Sequence, residues 1–365
     1  MCDTNYEANR EKIDELSRRG VKFYNDYLDM LEQEQELDIV SISTPIQLHR
    51  KMAVEAMEKG FNVLLEKPPA VTIQDIEKII ATSVRTKRLC AVNFPQTSGK
   101  AFNQLKTYVE KGKLGKIISI TGVGMWKRLD SYYTRTPWAG KLLVNDNYVL
   151  DGTINNPLAH LINNMMFLAT CAGAEKVTAV TAELYHAHNI EGEDTSCLKA
   201  EMDNGMNLFY YATLCSKTQQ IPYIIVEGTE GKAKWNYSNE LEIEVGGKTE
   251  KTSFETEVFM ENMYRNLIAT ISDETIKLFC SIEQTRNFVL TSNGAFESSG
   301  KIHAIPPQHI KRYDEEGSVA TEIIDMNKIE DIAKEHKLFS EAGIDWAIKG
   351  KRFDLSDYKE FGMFK

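Results

Sequence analysis

The chain contains no Cys-x-x-Cys pair: its six cysteines, Cys2, Cys90, Cys171, Cys197, Cys215 and Cys280, are scattered over 365 residues. Such spacing indicates neither a zinc site nor a disulfide framework, so no metal ligand set is expected and most thiols read as small buried hydrophobes. No run approaches the roughly 20 apolar residues of a membrane-spanning helix. The opening Met1-Cys2-Asp3-Thr4-Asn5-Tyr6 has neither the basic nor the apolar region of a signal peptide, and the expected location is cytoplasmic. Positive charge is short as well, with 43 Lys and Arg against 53 Asp and Glu and a net charge of -10. Nucleic acid and anionic membrane are recognised through clustered Lys and Arg, so neither is an expected partner and a small molecule is favoured. Repeats and low-complexity segments are also absent.

What is present is an alternation of apolar strands and amphipathic helices. Asp3 or Thr4 is placed to cap a helix through Arg18, with Gly20 as its stop. Leu37 to Thr44 reads as a buried strand ended by Pro45, Ile46 to Glu58 as a helix, and Gly60 as its C-cap. Asn62-Val63-Leu64-Leu65 is apolar without a polar face and stops at Glu66-Lys67-Pro68-Pro69, the pattern of a fully buried strand that delivers charged side chains at its C-terminal end. Thr72 caps a helix from Ile73 to Thr86, and Leu89 to Val92 is a further strand leading to Asn93-Phe94-Pro95-Gln96. This order predicts a parallel sheet with right-handed crossovers, whose C-terminal edge is where ligands bind. A nucleotide-binding sheet of this kind normally starts with a strand, a glycine-rich turn and a helix. No GxGxxG occurs near the start here, and Asp3 stands where a ribose-binding acid would end the second strand. The expectation is a truncated start or a departure from the usual plan.

A helix around Ala101 to Lys111 and a strand from Ile117 to Trp126 follow. The segment from Trp126 to Gly140 is rich in Trp, Tyr and Arg, which suits either a packed surface lid or stacking on a polar ligand such as a sugar. Asp151-Gly152 leads into an apolar helix that carries His160 among Leu158, Leu161, Met165 and Met166, where a lone histidine is more often a core residue than a catalyst. From Glu175 to about Val245, alternating segments separated by turns predict a mostly antiparallel sheet. Helices over Val258 to Ile271 and Ser281 to Asn293 come next, then a tail wrapping the domain with a short helix near Ile329 to Glu335.

Taken together, Ser43-Thr44-Pro45 with His49, Glu66-Lys67-Pro68, the Tyr132-Tyr133 to Trp138-Ala139-Gly140 segment and Asp151-Gly152 followed by His160 resemble the Gfo/Idh/MocA oxidoreductase family over nearly the whole chain. The resemblance implies an α/β fold: an N-terminally incomplete Rossmann-type parallel sheet over residues 1–97, and a C-terminal α/β domain over residues 98–365 with a large, mostly antiparallel open sheet. The tail is expected to be able to pack back on the first domain. It also implies NAD or NADP as cofactor, a sugar or polyol as small-molecule partner, and, by analogy, a homodimer or homotetramer built on one face of the second sheet.

On the same resemblance, Asp3, Ser43, Thr44, Pro45, His49, Glu66 and Lys67 bind cofactor. His160 accepts the hydroxyl proton and Lys67 is the cationic partner, a role suited to a partly desolvated lysine. The candidates for holding substrate are Asn93, Gln96, Arg128, Tyr132, Tyr133, Trp138, Asn155 and Asn156. Family members usually carry an aspartate where this chain has Asn156, one helical turn before His160. An amide orients the ring without adding charge, so His160 is expected to be the weaker base. Three functions remain open: a sugar or polyol dehydrogenase, a redox-neutral NAD-dependent glycoside hydrolase or lyase, and a non-catalytic homologue without cofactor binding.

Overall fold

The computed structural model describes residues 1–255 and 257–365. Two helices open the chain, α1 (Tyr6–Arg18) and α2 (Tyr27–Gln33); β1 (Ile39–Ile42), α3 (His49–Glu58), β2 (Asn62–Glu66), α4 (Ile73–Thr86) and β3 (Cys90–Asn93) follow. The three strands pair in parallel in the order β1-β2-β3, with Val40 opposite Val63 and Leu64 opposite Ala91. Strands covered on both faces need continuous apolar sequence, and Val63, Leu64 and Leu65 are at most 2% exposed. Thr72 caps α4 as expected, its hydroxyl accepting the Asp75 N–H. The cap of α1 differs from expectation. Asn5 accepts the Ala8 N–H, while Asp3 Oδ1 accepts the Asn5 N–H one turn earlier, at 2.7 Å. The helix expected from Ile46 starts as a 3-10 turn over Ile46–Leu48 before α3.

The second part begins with α5 (Lys100–Glu110), β4 (Ile117–Met125), the short α6 (Asp130–Tyr133), a ribbon of β5 (Leu143–Val144) and β6 (Asn147–Tyr148), and α7 (Ala159–Cys171). Next come β7 (Val177–His186), β8 (Thr195–Met202), β9 (Asn207–Thr213), β10 (Tyr223–Gly228), β11 (Gly231–Asn236), β12 (Glu240–Val245) and β13 (Lys248–Ser253). Two helices, α8 (Phe259–Ser272) and α9 (Arg286–Ser299), precede β14 (His303–Ala304), the hairpin of β15 (Ile310–Glu315) and β16 (Ser318–Ile323), α10 (Ile329–Lys334) and β17 (Phe353–Asp354). The large sheet runs β13-β12-β11-β10-β4-β9-β8-β7-β14, with β17 also on β7; apart from the parallel pairs β4–β9 and β7–β14 it is antiparallel. Its β13 edge, Lys248-Thr249-Glu250-Lys251-Thr252-Ser253, has no apolar alternation, and so lay beyond the expected sheet. Exposed charge on an edge strand discourages pairing with another chain.

Alternation along β9 divides the sheet's two faces. Leu208, Tyr210 and Ala212 point into the main core with α7 and α9, while Phe209 and Tyr211 point to a second core made with Ile323, Ile329, Phe339 and Trp346. Around β9 the second face is thus covered by the chain's own residues, while farther out, on β11, the same face carries the exposed Lys232 and Lys234. Later segments return to the small sheet. Val92 and Cys90 exchange backbone hydrogen bonds with Cys280 and Ile282 across an antiparallel Ala91–Ser281 bridge. Asn293 of α9 accepts the Ile73 N–H and donates to the Val71 carbonyl, which fixes the start of α4. Gly294 lies inside α9, which runs past the expected end at Asn293; a Cβ there would meet Leu355 at 3.0 Å, so glycine lets the tail approach. At the tail, Phe361 and Gln74 of α4 exchange two hydrogen bonds of 3.0 Å.

Candidate active site

The ends of β1, β2 and β3 converge on one edge. His49, at the start of α3 and 1% exposed, sits with one ring nitrogen 2.8 Å from the Thr44 carbonyl and the other 2.8 Å from the Pro68 carbonyl. The ring thus clamps the end of β1 to the turn after β2, which holds Ser43-Thr44-Pro45 beside Glu66-Lys67-Pro68. Burial pushes the His49 pKa below its usual value, against the two carbonyls that favour the charged ring. Glu66, the last residue of β2, accepts from Asn93 Nδ2 of β3 at 2.6 Å. Asp3 follows a parallel bridge between Cys2 and Tyr24, and its carboxylate receives the Asn5 N–H and the Asn9 side-chain amide.

Lys67 projects from the end of β2 across to the turn before α7. Its Nζ donates to the Asn156 Oδ1 at 2.8 Å and to the Asn156 carbonyl at 3.0 Å. Asn156 Nδ2 in turn donates to Asp151 Oδ1 at 2.8 Å, and the Gly140 N–H donates to Asp151 Oδ2 at 2.6 Å. A single amide therefore bridges a buried ammonium and a buried carboxylate. Burial lowers the Lys67 pKa, resisted by the charges of Glu66 and Asp151. Burial raises the Asp151 pKa, resisted by the Gly140 N–H, the Asn156 amide, Arg135 and Lys67. Both groups are shifted toward neutrality, as expected where water is excluded.

His160, the second residue of α7, stands beside this network. Burial, with the nearby Lys67 charge, pushes its pKa down to about 3, so the imidazole is neutral at physiological pH. Its Nδ1 is buried without a hydrogen-bond partner. The Phe94 ring meets it edge to face with centroids 5.3 Å apart. Packing on Phe94, rather than a hydrogen bond from Asn156, orients the ring, because Asn156 spends its polar atoms on Lys67 and Asp151.

The aromatic and basic segment forms a ladder. Arg128 Cζ lies 4.7 Å from the Trp126 ring and 5.1 Å from the Tyr132 ring; Arg135 Cζ lies 3.5 Å from Tyr132 and 5.3 Å from Trp138. Tyr133 packs its ring on His188 with centroids 4.8 Å apart. Of the other candidates, Asn155 is fully buried, donating to the Leu150 carbonyl and accepting from Ser292 Oγ. Several buried polar atoms around this edge lack partners: Asn93 Oδ1, Gln96 Oε1, Arg128 Nε and the Tyr133 hydroxyl. Buried polar atoms are normally paired, and others without partners lie in the cores, among them Tyr211, Trp235 and Trp346.

Sequence reasoning missed three features. Arg135 lies in the same segment as Arg128 and shares its stacking, a signal that was there to be read. Glu193 lies beneath Gly152, where its Oε1 accepts the Ile154 N–H and the Thr153 hydroxyl; burial raises its pKa to about 8. His188, Asp194 and Cys215 gather their ligand-type atoms within 4.8 Å, though they are spread over 28 residues with no metal-binding spacing. Here His188 Nδ1 lies 2.8 Å from Asp194 Oδ2, which also accepts the Ala187 and His188 N–H groups. Those partners satisfy the carboxylate as a structural acceptor.

Comparisons with known proteins bear on both parts of the chain. Residues 4–94 match a family described as oxidoreductase family, NAD-binding Rossmann fold, and residues 102–234 match the GFO/IDH/MocA C-terminal domain. A glycosyl hydrolase family 109 protein of Shewanella baltica is 30% identical over 125 residues, 32% of this chain and 27% of that protein. An inositol 2-dehydrogenase of Salmonella typhimurium is 30% identical over 102 residues, 28% of this chain and 30% of that protein. The matched stretches thus span less than a third of these curated relatives. Among solved structures, levoglucosan dehydrogenase in complex with NADH and levoglucosan aligns with a TM-score of 0.70 over 82% of this chain and 87% of that one, at 18% identity, a likeness of fold.

Proposed function

The chain belongs to the Gfo/Idh/MocA family, and on that premise we propose that it is an NAD(P)-dependent oxidoreductase acting on a secondary alcohol of a sugar or polyol. The observation that carries this reading is Lys67: a desolvated ammonium at the end of a buried parallel strand, tied to Asn156 and within electrostatic reach of an unpartnered, neutral His160. The inositol dehydrogenase relative and the levoglucosan dehydrogenase fold support the substrate class.

The residues present suit the nicotinamide end of a dinucleotide. Thr44-Pro45, Glu66, Lys67 and Asn93 share one strand edge, and Asn93 Oδ1 is a buried acceptor without a donor. Bound there, nicotinamide supplies the hydride acceptor. The chain's own groups handle the proton. His160 offers a neutral nitrogen to the substrate hydroxyl, and its depressed pKa makes it a weak base that needs help. Lys67 provides that help by stabilising the developing alkoxide with a positive charge in a water-poor site, where such a charge counts for more than in water. Asn156 and Asp151 hold the ammonium in place, and Phe94 fixes the imidazole.

A second reading draws on the glycosyl hydrolase family 109 relative: transient oxidation of a glycoside hydroxyl, elimination or hydrolysis at the glycosidic bond, and return of the hydride. The test is incubation of this chain with NAD, and separately with NADP, and a panel of polyols, sugars and nitrophenyl glycosides. Accumulation of NADH or NADPH supports the dehydrogenase, aglycone release without net reduction of either supports the redox-neutral enzyme, and neither product with either cofactor overturns both.

A further inference from the structure

The chain has an excess of carboxylates, and its arginines generally find them: Arg50 pairs with Asp75, Arg85 with Glu58, Arg286 with Glu77 and Arg352 with Glu201. Among the described residues Arg128 and Arg135, like Arg18, Arg88 and Arg312, form no ion pair with a carboxylate. Arg128 Nη1 donates to the Lys127 carbonyl, and Arg135 Nη1 to the Tyr132 carbonyl. A guanidinium has five N–H donors, so most of those on each side chain remain uncommitted, and Arg128 Nε is buried with no acceptor at all. Asp130, a nearby carboxylate on the same segment, is turned toward His188 Nε2 at 3.9 Å.

Stacking explains how the two cations are held without counter-ions. Both lie over the Tyr132 ring, and Arg128 also lies over Trp126 and Arg135 over Trp138. Aromatic rings cover guanidinium faces and leave the N–H edges free, the geometry that meets an oxyanion with paired hydrogen bonds. The ladder also adjoins the reactive edge: Asp151 Oδ2 accepts the N–H of Gly140, two residues on from Trp138, and a Cβ at Gly140 would lie 3.3 Å from the Tyr133 ring. Within this cluster Asp151 is already engaged by Gly140 and Asn156, and Glu66 by Asn93. Positive charge at the mouth of the site is thus left without a protein partner.

We propose that the substrate of this site is a sugar carrying an oxyanion, a carboxylate or a phosphate, held between the free edges of Arg128 and Arg135. This deepens the sugar reading above and rests on it for the sugar alone. Two stacked guanidinium groups make the charged group a fixed anchor, which sets which hydroxyl of the ring reaches Lys67 and His160.

The test is isothermal titration of the whole chain with glucose, glucuronate and glucose 6-phosphate at low ionic strength. At least one charged sugar is expected to bind about tenfold or more tighter than glucose, the worth of one charged hydrogen bond, and the tighter of the two identifies the oxyanion. Arg135→Gln, at an exposed position that leaves the core untouched, is expected to bring the charged sugars down to the affinity of glucose, and Arg135→Lys to restore part of the preference. Equal binding of all three sugars, no detectable binding of either charged sugar, or a preference that survives the double variant Arg128→Gln with Arg135→Gln overturns the proposal. NADH formation is followed in parallel. Anion preference without NADH formation sinks the oxidoreductase reading alone, and oxidation of neutral polyols without anion preference sinks this one alone.

Discussion

Lys67 and Asn156 are joined twice, through the side-chain oxygen at 2.8 Å and the backbone carbonyl at 3.0 Å. An amide at this position gives the ammonium two acceptors without a counter-charge, and its own N–H group is spent on Asp151. Asn156→Asp therefore changes charge where shape is nearly conserved. The new carboxylate favours the charged forms of Lys67 and His160, while it loses the donor to Asp151 and faces that carboxyl directly. The expected outcome is a His160 pKa raised from about 3 by a unit or more, read from ring chemical shifts against pH. A ring that titrates as before would show that His160 and this position are not electrostatically linked.

Lys67→Ala and His160→Ala are expected to lower turnover about a hundredfold or more, the usual weight of an acid–base group. Their effect on stability should be small by comparison. Lys67 is held at a cost of desolvation that its removal relieves, and His160 Nδ1 makes no hydrogen bond to lose. Steady-state kinetics beside denaturant melts separate the two effects. A variant that keeps near-normal turnover removes its residue from the chemistry.

Stability toward acid carries the mark of His160. Its pKa in the fold is about 3 against 6.5 for a free histidine, so between those values the unfolded chain takes up a proton that the native ring refuses. Stability from this group is complete above about 6.5 and falls as pH drops toward 3. His160→Gln removes that dependence. The difference in melting temperature between wild type and variant is expected to shift in favour of the variant from pH 7 to pH 5, and a constant difference would contradict the buried, neutral ring.

The parts of this architecture legible in the sequence are those written in local pattern. The apolar run before Glu66, the Thr72 cap and the turns around the β7 to β11 strands needed only periodicity and capping chemistry, and the structure has them close to where they were expected. Elements without an apolar face escaped: β13 is all Lys, Thr, Glu and Ser, and pairs with β12 along its length. The site was half visible. Lys67 and His160 were candidates through the family resemblance alone, while the hydrogen bonds around Lys67 run through Asn156, Asp151 and Gly140, with Glu193 under Gly152. Those contacts join loops that only the folded sheet brings together, and nothing in the local sequence says which polar group meets which. Asn156 shows the limit well: its identity was noticed, yet its partner proved to be Lys67 rather than His160.

Glu193 gives the last test, because its two oxygens differ. Oε1 accepts from the Ile154 N–H at 2.9 Å and from the Thr153 hydroxyl at 3.1 Å, while Oε2 is buried with no partner. A Cβ added at Gly152 would lie 1.8 Å from that second oxygen, so the carboxyl is pressed directly against the loop that carries Asp151 and Asn156. Burial raises its pKa from 4.5 to about 8. The native side chain keeps a proton that the unfolded chain releases, and stability from this group is lost as pH rises from about 4.5 through about 8. Glu193→Gln preserves the Oε1 acceptor and the volume and cannot ionise. Its melting temperature should equal or slightly trail that of wild type at pH 5 and exceed it at pH 8. If the variant is no more favoured at pH 8 than at pH 5, Glu193 is ionised in the fold, and the loop rests on a buried charge instead of a neutral acid.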